Sequence, residues 1–211
     1  PPPPPPPTPP PPPLPFPTRP PPQVSAAVSR ALLYLHSEHK LLHGDVKSAN
    51  VLLSRGFQEI KLCDLGVSLP LGDTLHVKTP EMHIYEGTEP WRPPESLCSD
   101  ERGGSPSCPQ PPLDAGLCDR SDIFPFGLVL WEMLTAEIPH GALMHGGDRG
   151  DAYRRALGTR PPLPPLPSEY TAQAQLFHAC THRQPGARPS AAEICAWHAH
   201  GGLAVPAERC C

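Results

Sequence analysis

His43-Gly44-Asp45-Val46-Lys47-Ser48-Ala49-Asn50, followed later by Asp64-Leu65-Gly66, is the stretch from which the rest of the chain is read. It sets an acid, a lysine and an amide at D-x-K-x-x-N spacing, then a second acid just ahead of a glycine. Phosphoryl transfer asks little covalent chemistry of a protein: a hydroxyl must be held in line and the phosphate charge neutralised by metal. In that chemistry Asp45 accepts or orients the proton of the attacking hydroxyl, and Lys47 reaches the transferring phosphate. Asn50 holds one magnesium through its amide oxygen, and Asp64 bridges metal and nucleotide. A few hard oxygen ligands suit Mg²⁺, which keeps several of its waters. Taken singly, each residue is an ordinary loop acid, base or amide; the joint spacing carries the reading.

Around this stretch the composition shifts abruptly. Proline accounts for 36 of 211 residues, and seventeen prolines lie in the first 22; ordinary proteins carry about 5%. Residues 1–23 therefore read as a proline-rich disordered tail that takes extended polyproline II geometry and joins no core. Two readings stay open for it: a ligand for SH3 or WW domains, or a solvated tail. The lack of a PPxY motif and the offset of Arg19 favour the tail. The net charge of −4 gives no basic footprint for nucleic acid. No apolar run approaches a membrane span. The eight cysteines form no C-x-x-C pair and read as reduced thiols, which predicts an intracellular location, cytoplasmic or nuclear.

From Val24 the pattern becomes helical. Val24, Ala27, Val28, Ala31, Leu32 and Leu35 recur at steps of three and four, predicting an amphipathic helix to about His39. Val51-Leu52-Leu53 and Ile60-Lys61-Leu62 flank a turn at Arg55-Gly56-Phe57 and predict a small β-hairpin. Residues 96–118 read as an inserted loop. A helix from about Asp122 to Ala136 is apolar on every side and is expected to be buried all round. Further helices are predicted near 168–181 and 190–198, with a C-terminal tail from 199 to 211. The fold class is mainly α with one hairpin.

More motifs stand at matching intervals. Gly87-Thr88-Glu89-Pro90-Trp91-Arg92-Pro93-Pro94-Glu95 resembles the end of a protein kinase activation segment. Asp122-Ile123-Phe124-Pro125-Phe126-Gly127 resembles the start of the central helix of the large kinase lobe. Arg188-Pro189-Ser190 resembles the late arginine motif, whose side chain would pair with Glu95. With Cys63-Asp64-Leu65-Gly66-Val67-Ser68-Leu69-Pro70-Leu71 and Ala156-Leu157-Gly158-Thr159-Arg160-Pro161-Pro162, residues 24–198 resemble the PDZ-binding kinase family. That family is also called lymphokine-activated killer T-cell-originated protein kinase, and it is related to the MAP kinase kinases. Gly44 in place of an arginine and the Asp-Leu-Gly triplet sharpen the match.

The resemblance implies a protein kinase-like fold and ATP-dependent transfer to protein serine and threonine. Asp45 and Lys47 would be catalytic. Asn50, Leu52 and Asp64 would bind Mg²⁺-ATP, with Leu52 as the floor for adenine. His43, Thr88, Glu95, Asp122 and Arg188 would hold the frame. It also implies parts that these residues do not show: a glycine-rich loop, a strand lysine and a helix glutamate. The expectation is thus a C-terminal lobe with the N-terminal lobe missing, a fragment inactive alone; the start at proline rather than methionine points the same way. The alternative is a non-catalytic kinase-lobe scaffold. Gly44 leaves Ser68, Thr74, Thr79, Tyr85 and Thr88 without an assigned switch. Pro125 predicts that Asp122 is held less firmly against the catalytic loop.

Overall fold

The structure, a computed structural model, describes residues 22–78, 84–97, 116–144 and 149–201. The proline-rich tract to residue 21 and residues 98–115 of the expected insertion lie outside them.

Helix α1 spans Pro22–Ser37, so the helix takes up Pro22 and Gln23, which the sequence reading left in the tail. A proline at the first position loses nothing there, because its missing N–H would lack a helical partner anyway. The buried face is Val24, Ser25, Val28, Ser29, Leu32 and His36. It is rotated from the expected stripe: Ala27, Ala31 and Leu35 are only partly covered. The two serines explain the rotation. Ser29 Oγ donates to the Ala26 carbonyl and Ser25 Oγ to that of Pro22, so both hydroxyls are satisfied inside the helix. Their small size admits the last helix, α6 (Ala191–Ala199), with His198 Nε2 at 3.2 Å from Ser25 Oγ. Helix α6 starts at Ser190, whose side chain accepts from Glu193 N while Glu193 accepts from Ser190 N, a reciprocal cap.

The hairpin lies where it was expected, as β2 (Val51–Leu53) and β3 (Ile60–Leu62), antiparallel with Leu52 opposite Lys61. A second two-stranded sheet pairs β1 (Leu41–Leu42) with β4 (Leu69–Pro70). Two-residue strands carry no periodicity, so this pairing was invisible in the sequence. It closes a small apolar cluster of Leu42, Leu69, Leu71, Val77 and Tyr85.

Helix α2 (Pro94–Leu97) follows Pro93 and claims Ser96 and Leu97 from the expected insertion. Helix α3 (Ile123–Thr135) runs through the main core with ten buried residues, which bears out the reading of a helix buried all round. Gly127 lets it lie against α5 (Thr171–Cys180): a Cβ there would stand 2.7 Å from Thr181 Cγ2 and 2.9 Å from Cys180 Cβ. Helix α4 (Arg149–Ala156) is not among the expected elements; it is charged, none of its described side chains is fully buried, and it shows no apolar stripe. Among the described residues no helix is long and apolar enough to cross a membrane.

Among the described residues the largest fully buried side chain is Arg188. All five of its N–H groups are used. It grips Glu95 by two parallel bonds of 2.7 Å, and it donates to the carbonyls of Arg120, His182 and Arg183. Three segments distant in sequence, around Glu95, Arg120 and 182–188, are thereby tied at one guanidinium, whose carbon also lies 5.1 Å from the centre of the Phe124 ring. Removing either charge leaves the other buried and unpaired. Arg188→Ala and Glu95→Ala should each lower the unfolding free energy by about 3–5 kcal/mol in urea titrations. Arg188→Lys should lose most of the same amount, since an ammonium cannot reproduce the planar fork. A drop below about 1 kcal/mol for all three would show that the pair does not hold these segments.

Candidate active site

The site is built on the loop between β1 and β2 and is anchored from below by the start of α3. Asp122 is fully buried. Its Oδ2 accepts from His43 N at 2.8 Å and its Oδ1 from Gly44 N at 3.0 Å. His36 Nε2, from α1, lies 2.8 Å from Oδ2 and carries the proton in that contact. The expectation that Pro125 would loosen Asp122 is therefore wrong. Pro125 stands in the first turn of α3, where its missing N–H has no helical partner to lose.

His43 works as a brace. Its Nε2 meets the Cys63 carbonyl at 3.1 Å and its Nδ1 accepts from Asp45 N at 3.2 Å, a set of bonds that one neutral tautomer satisfies. The ring thus fixes both Asp45 and the residue directly before Asp64. Gly44 has φ of 81°, and a Cβ there would come within 2.8 Å of the Val67 carbonyl oxygen. Glycine suits the turn on both counts.

The Asp45 carboxylate is the hub. Oδ2 accepts from Lys47 Nζ at 2.6 Å and from Asn50 Nδ2 at 3.2 Å; Oδ1 accepts from Thr88 N at 2.8 Å. Lys47 Nζ also donates to Thr88 Oγ1 at 2.6 Å. Burial alone would raise the Asp45 pKa, but the bonds from Lys47 and Thr88 outweigh it and hold the carboxyl below its ordinary range. Asn50 also donates through Nδ2 to the Asp45 carbonyl at 2.8 Å, so its amide oxygen is left as its lone-pair side. The Asn50 carbonyl accepts from Cys63 N at 2.9 Å, which draws the segment carrying Asp64 against the loop. Asp64 itself is exposed and left-handed, with φ of 68°, and its Oδ1 accepts from Gly66 N.

The structure therefore brings Asp45, Lys47, Asn50, Thr88, His43 and Asp122 into one hydrogen-bonded group, and Asp64 directly follows Cys63, whose backbone bonds His43 and Asn50. Leu52 lies apart on β2 and is exposed, and the Glu95–Arg188 pair stands outside the group as a frame. An amide oxygen and an exposed carboxylate on adjoining segments fit a cation that takes few protein ligands and keeps its waters, which is the habit of Mg²⁺.

Three residues escaped the sequence reading. His36 looked like one histidine among eleven, though its place on the apolar face of α1 was a signal. Trp91 and Glu132 form the other omission. Glu132 Oε1 accepts from Ser48 Oγ at 2.8 Å and Oε2 from Trp91 Nε1 at 2.9 Å, so this acid joins α3, the catalytic loop and the segment after Thr88. A lone acid within the apolar run of α3 was the available hint.

Comparison with known proteins agrees with this geometry. The protein kinase domain family matches residues 16–198. The chain is 44% identical to the human lymphokine-activated killer T-cell-originated protein kinase over 85% of its own length and 55% of the human protein's. It is 30% identical to a probable serine/threonine-protein kinase of Dictyostelium discoideum, over 82% of this chain and 16% of that protein. It is 29% identical to a dual specificity mitogen-activated protein kinase kinase of Caenorhabditis elegans, over 83% of this chain and 44% of the other. The chain thus spans about half or less of the length of these relatives.

Burial raises the pKa of Glu132, and the bonds from Trp91 and Ser48 offset this only in part. A carboxyl whose folded pKa lies above its unfolded one binds its proton more tightly when folded. Its contribution to stability is full below the ordinary value of 4.5 and is lost as pH rises through the folded pKa. In urea titrations from about pH 4 to about pH 7, the stability of the wild type relative to Glu132→Gln should fall as pH rises. A difference that stays flat or grows would mean that Glu132 keeps an ordinary or depressed pKa.

Proposed function

The chain belongs to the protein kinase domain family, and we propose that it supplies the large lobe of a serine/threonine protein kinase acting on protein hydroxyls. The observation that carries this reading is the closed set Asp45–Lys47–Thr88. An acid whose two oxygens are held by a lysine and a backbone N–H has a fixed direction. Lys47, bonded also to the Thr88 hydroxyl, ties that direction to the segment on which a substrate would lie.

In this reading Asp45 orients the serine or threonine hydroxyl and takes its proton, while Lys47 meets the charge of the phosphoryl group in transit. Asn50, through its amide oxygen, and Asp64 would hold Mg²⁺, which supplies charge neutralisation for the ATP phosphates when bound. An intracellular setting, cytoplasmic or nuclear, belongs to the same proposal. The described cysteines, Cys63, Cys118, Cys180 and Cys195, are all free thiols.

The proposal includes a need for a second, nucleotide-gripping part that these residues do not hold. Leu52 and Leu53 on the hairpin and Phe57 in its turn are exposed apolar groups, and a surface of this kind commonly marks a contact. The chain alone should show no useful phosphate transfer to a protein acceptor. Joined behind the N-terminal portion of the human relative, it should phosphorylate serine and threonine, and Asp45→Asn should lower that rate about 10²- to 10⁴-fold. Transfer by the chain alone that vanishes in Asp45→Asn would remove the need for a second part. A folded fusion that binds Mg²⁺-ATP yet transfers nothing would favour the non-catalytic scaffold.

A further inference from the structure

Tyr85 lies three residues before Thr88, in a segment that would have to be seated for Thr88 to meet Asp45 and Lys47. It is only 2% exposed and packs in the small apolar cluster with Leu42, Leu69, Leu71 and Val77. Its neighbours Ile84 and Glu86 are exposed, so the ring is the one side chain of these three turned inward.

Three features of the surroundings are shaped to the ring. Gly87 has no room for a Cβ, which would collide with Tyr85 Cε1 and stand 2.6 Å from the Gly44 carbonyl oxygen. The segment therefore lies directly on the backbone of the catalytic loop, one residue before Asp45. The Arg92 guanidinium sits 5.8 Å from the centre of the Tyr85 ring, within the range of a cation–π contact. Arg92 is itself tied to Ser96 Oγ and to the Ser96 carbonyl. Burial, then the carboxylates of Asp122, Glu95 and Asp45, push the phenol well above its usual pKa against the pull of Arg92. A phosphate on this ring would face those same carboxylates, an arrangement that repels it.

We propose that Tyr85 is a positioning residue: its buried ring seats residues 84–88 on the catalytic loop and sets Thr88 against Asp45 and Lys47 without any phosphate. The link to catalysis rests on the kinase reading above; the seating itself does not. Burial of a large aromatic side chain is an adequate source, since such rings dominate the energetics of the cores and contacts they join. Gly44 fits the same picture. A residue with no side chain presents no cation to a phosphorylated segment, and its carbonyl is what the segment touches instead.

The test is hydrogen exchange on the whole chain after phosphatase treatment. Peptides covering residues 84–91 should be protected in the wild type and in Tyr85→Phe. In Tyr85→Ala their exchange should rise by about tenfold or more, with α3 unchanged. Recovery by phenylalanine separates the packed ring from the hydroxyl. Nitration of the unmodified wild type should mark the exposed Tyr34 and spare Tyr85. Rapid exchange of 84–91 in the phosphatase-treated wild type would overturn the proposal. So would no change in Tyr85→Ala, or loss in Tyr85→Phe equal to that in Tyr85→Ala. Should Tyr85→Ala also unprotect α3, Tyr85→Leu decides: faster exchange confined to 84–91 supports the proposal and none defeats it. A fusion without kinase activity that still shows this pattern would count against the proposed function and leave the seating intact.

Discussion

The Asp122 carboxylate is wholly removed from solvent, and an ion in that position survives only with its charge and lone pairs satisfied. Its three donors come from α1 and from two consecutive residues of the catalytic loop, so satisfying one anion fixes three pieces of chain. Asp122 is also the residue at which α3 begins, where an anion is favoured by the helix dipole. An aspartate at that place would ordinarily cap the helix with its own side chain. Pro125, third in the helix, offers no N–H at one of the two positions such a cap uses, and the carboxylate makes no capping bond. It is free to serve the loop instead.

The second constraint is complementary. Arg188 and Glu95 fasten the far end of residues 84–95, while Asp45 and Tyr85 hold the near end against the loop between β1 and β2. Between the two anchors lie Thr88 and Trp91, each bonded to a residue of the site or its helix. Two ends pinned on rigid elements position the middle more firmly than any bond made there. This explains how exposed residues such as Ile84 and Glu89 can share a segment with buried Tyr85 and Glu95.

What was legible in the sequence followed from strong local signals. The hairpin at 51–53 and 60–62, the buried α3 and the polar group Asp45–Lys47–Asn50 all announce themselves by periodicity or spacing. What was hidden depends on partners distant in the chain. The face of α1 turned toward Ser25 and Ser29 because α6 needed room, which no window around residue 25 reveals. The pairing of β1 with β4 rests on two residues each. His36 and Glu132 carry no local signal of the bonds they make, because the groups that satisfy them, Asp122 for one and Ser48 and Trp91 for the other, lie far away in the chain. Helix α4 is charged and only partly covers Ala152, Tyr153 and Ala156, so its sequence carried no stripe to find.

Two acids bonded to the loop between β1 and β2, Asp45 and Glu132, are driven in opposite directions, and the contrast bears on the proposed mechanism. Glu132 is pushed up because partial burial of its carboxyl outweighs the bonds from two neutral donors. Asp45 is held down because Lys47 and Thr88 favour its charged form. An efficient general base has a pKa near the working pH, and a carboxylate below its ordinary range is far from that. In the proposed kinase, Asp45 is thus a poor proton acceptor before the reaction, and its first contribution is direction. That suits a loose transition state, in which the hydroxyl is scarcely more nucleophilic than at rest and its proton becomes acidic only as the new bond forms. The lysine bond that depresses Asp45 is also the one an arriving phosphate would compete for. As Lys47 turned toward that phosphate, the carboxylate would lose its main stabilising partner and gain basicity. Proton affinity would then rise at the stage of the reaction where the proton is released.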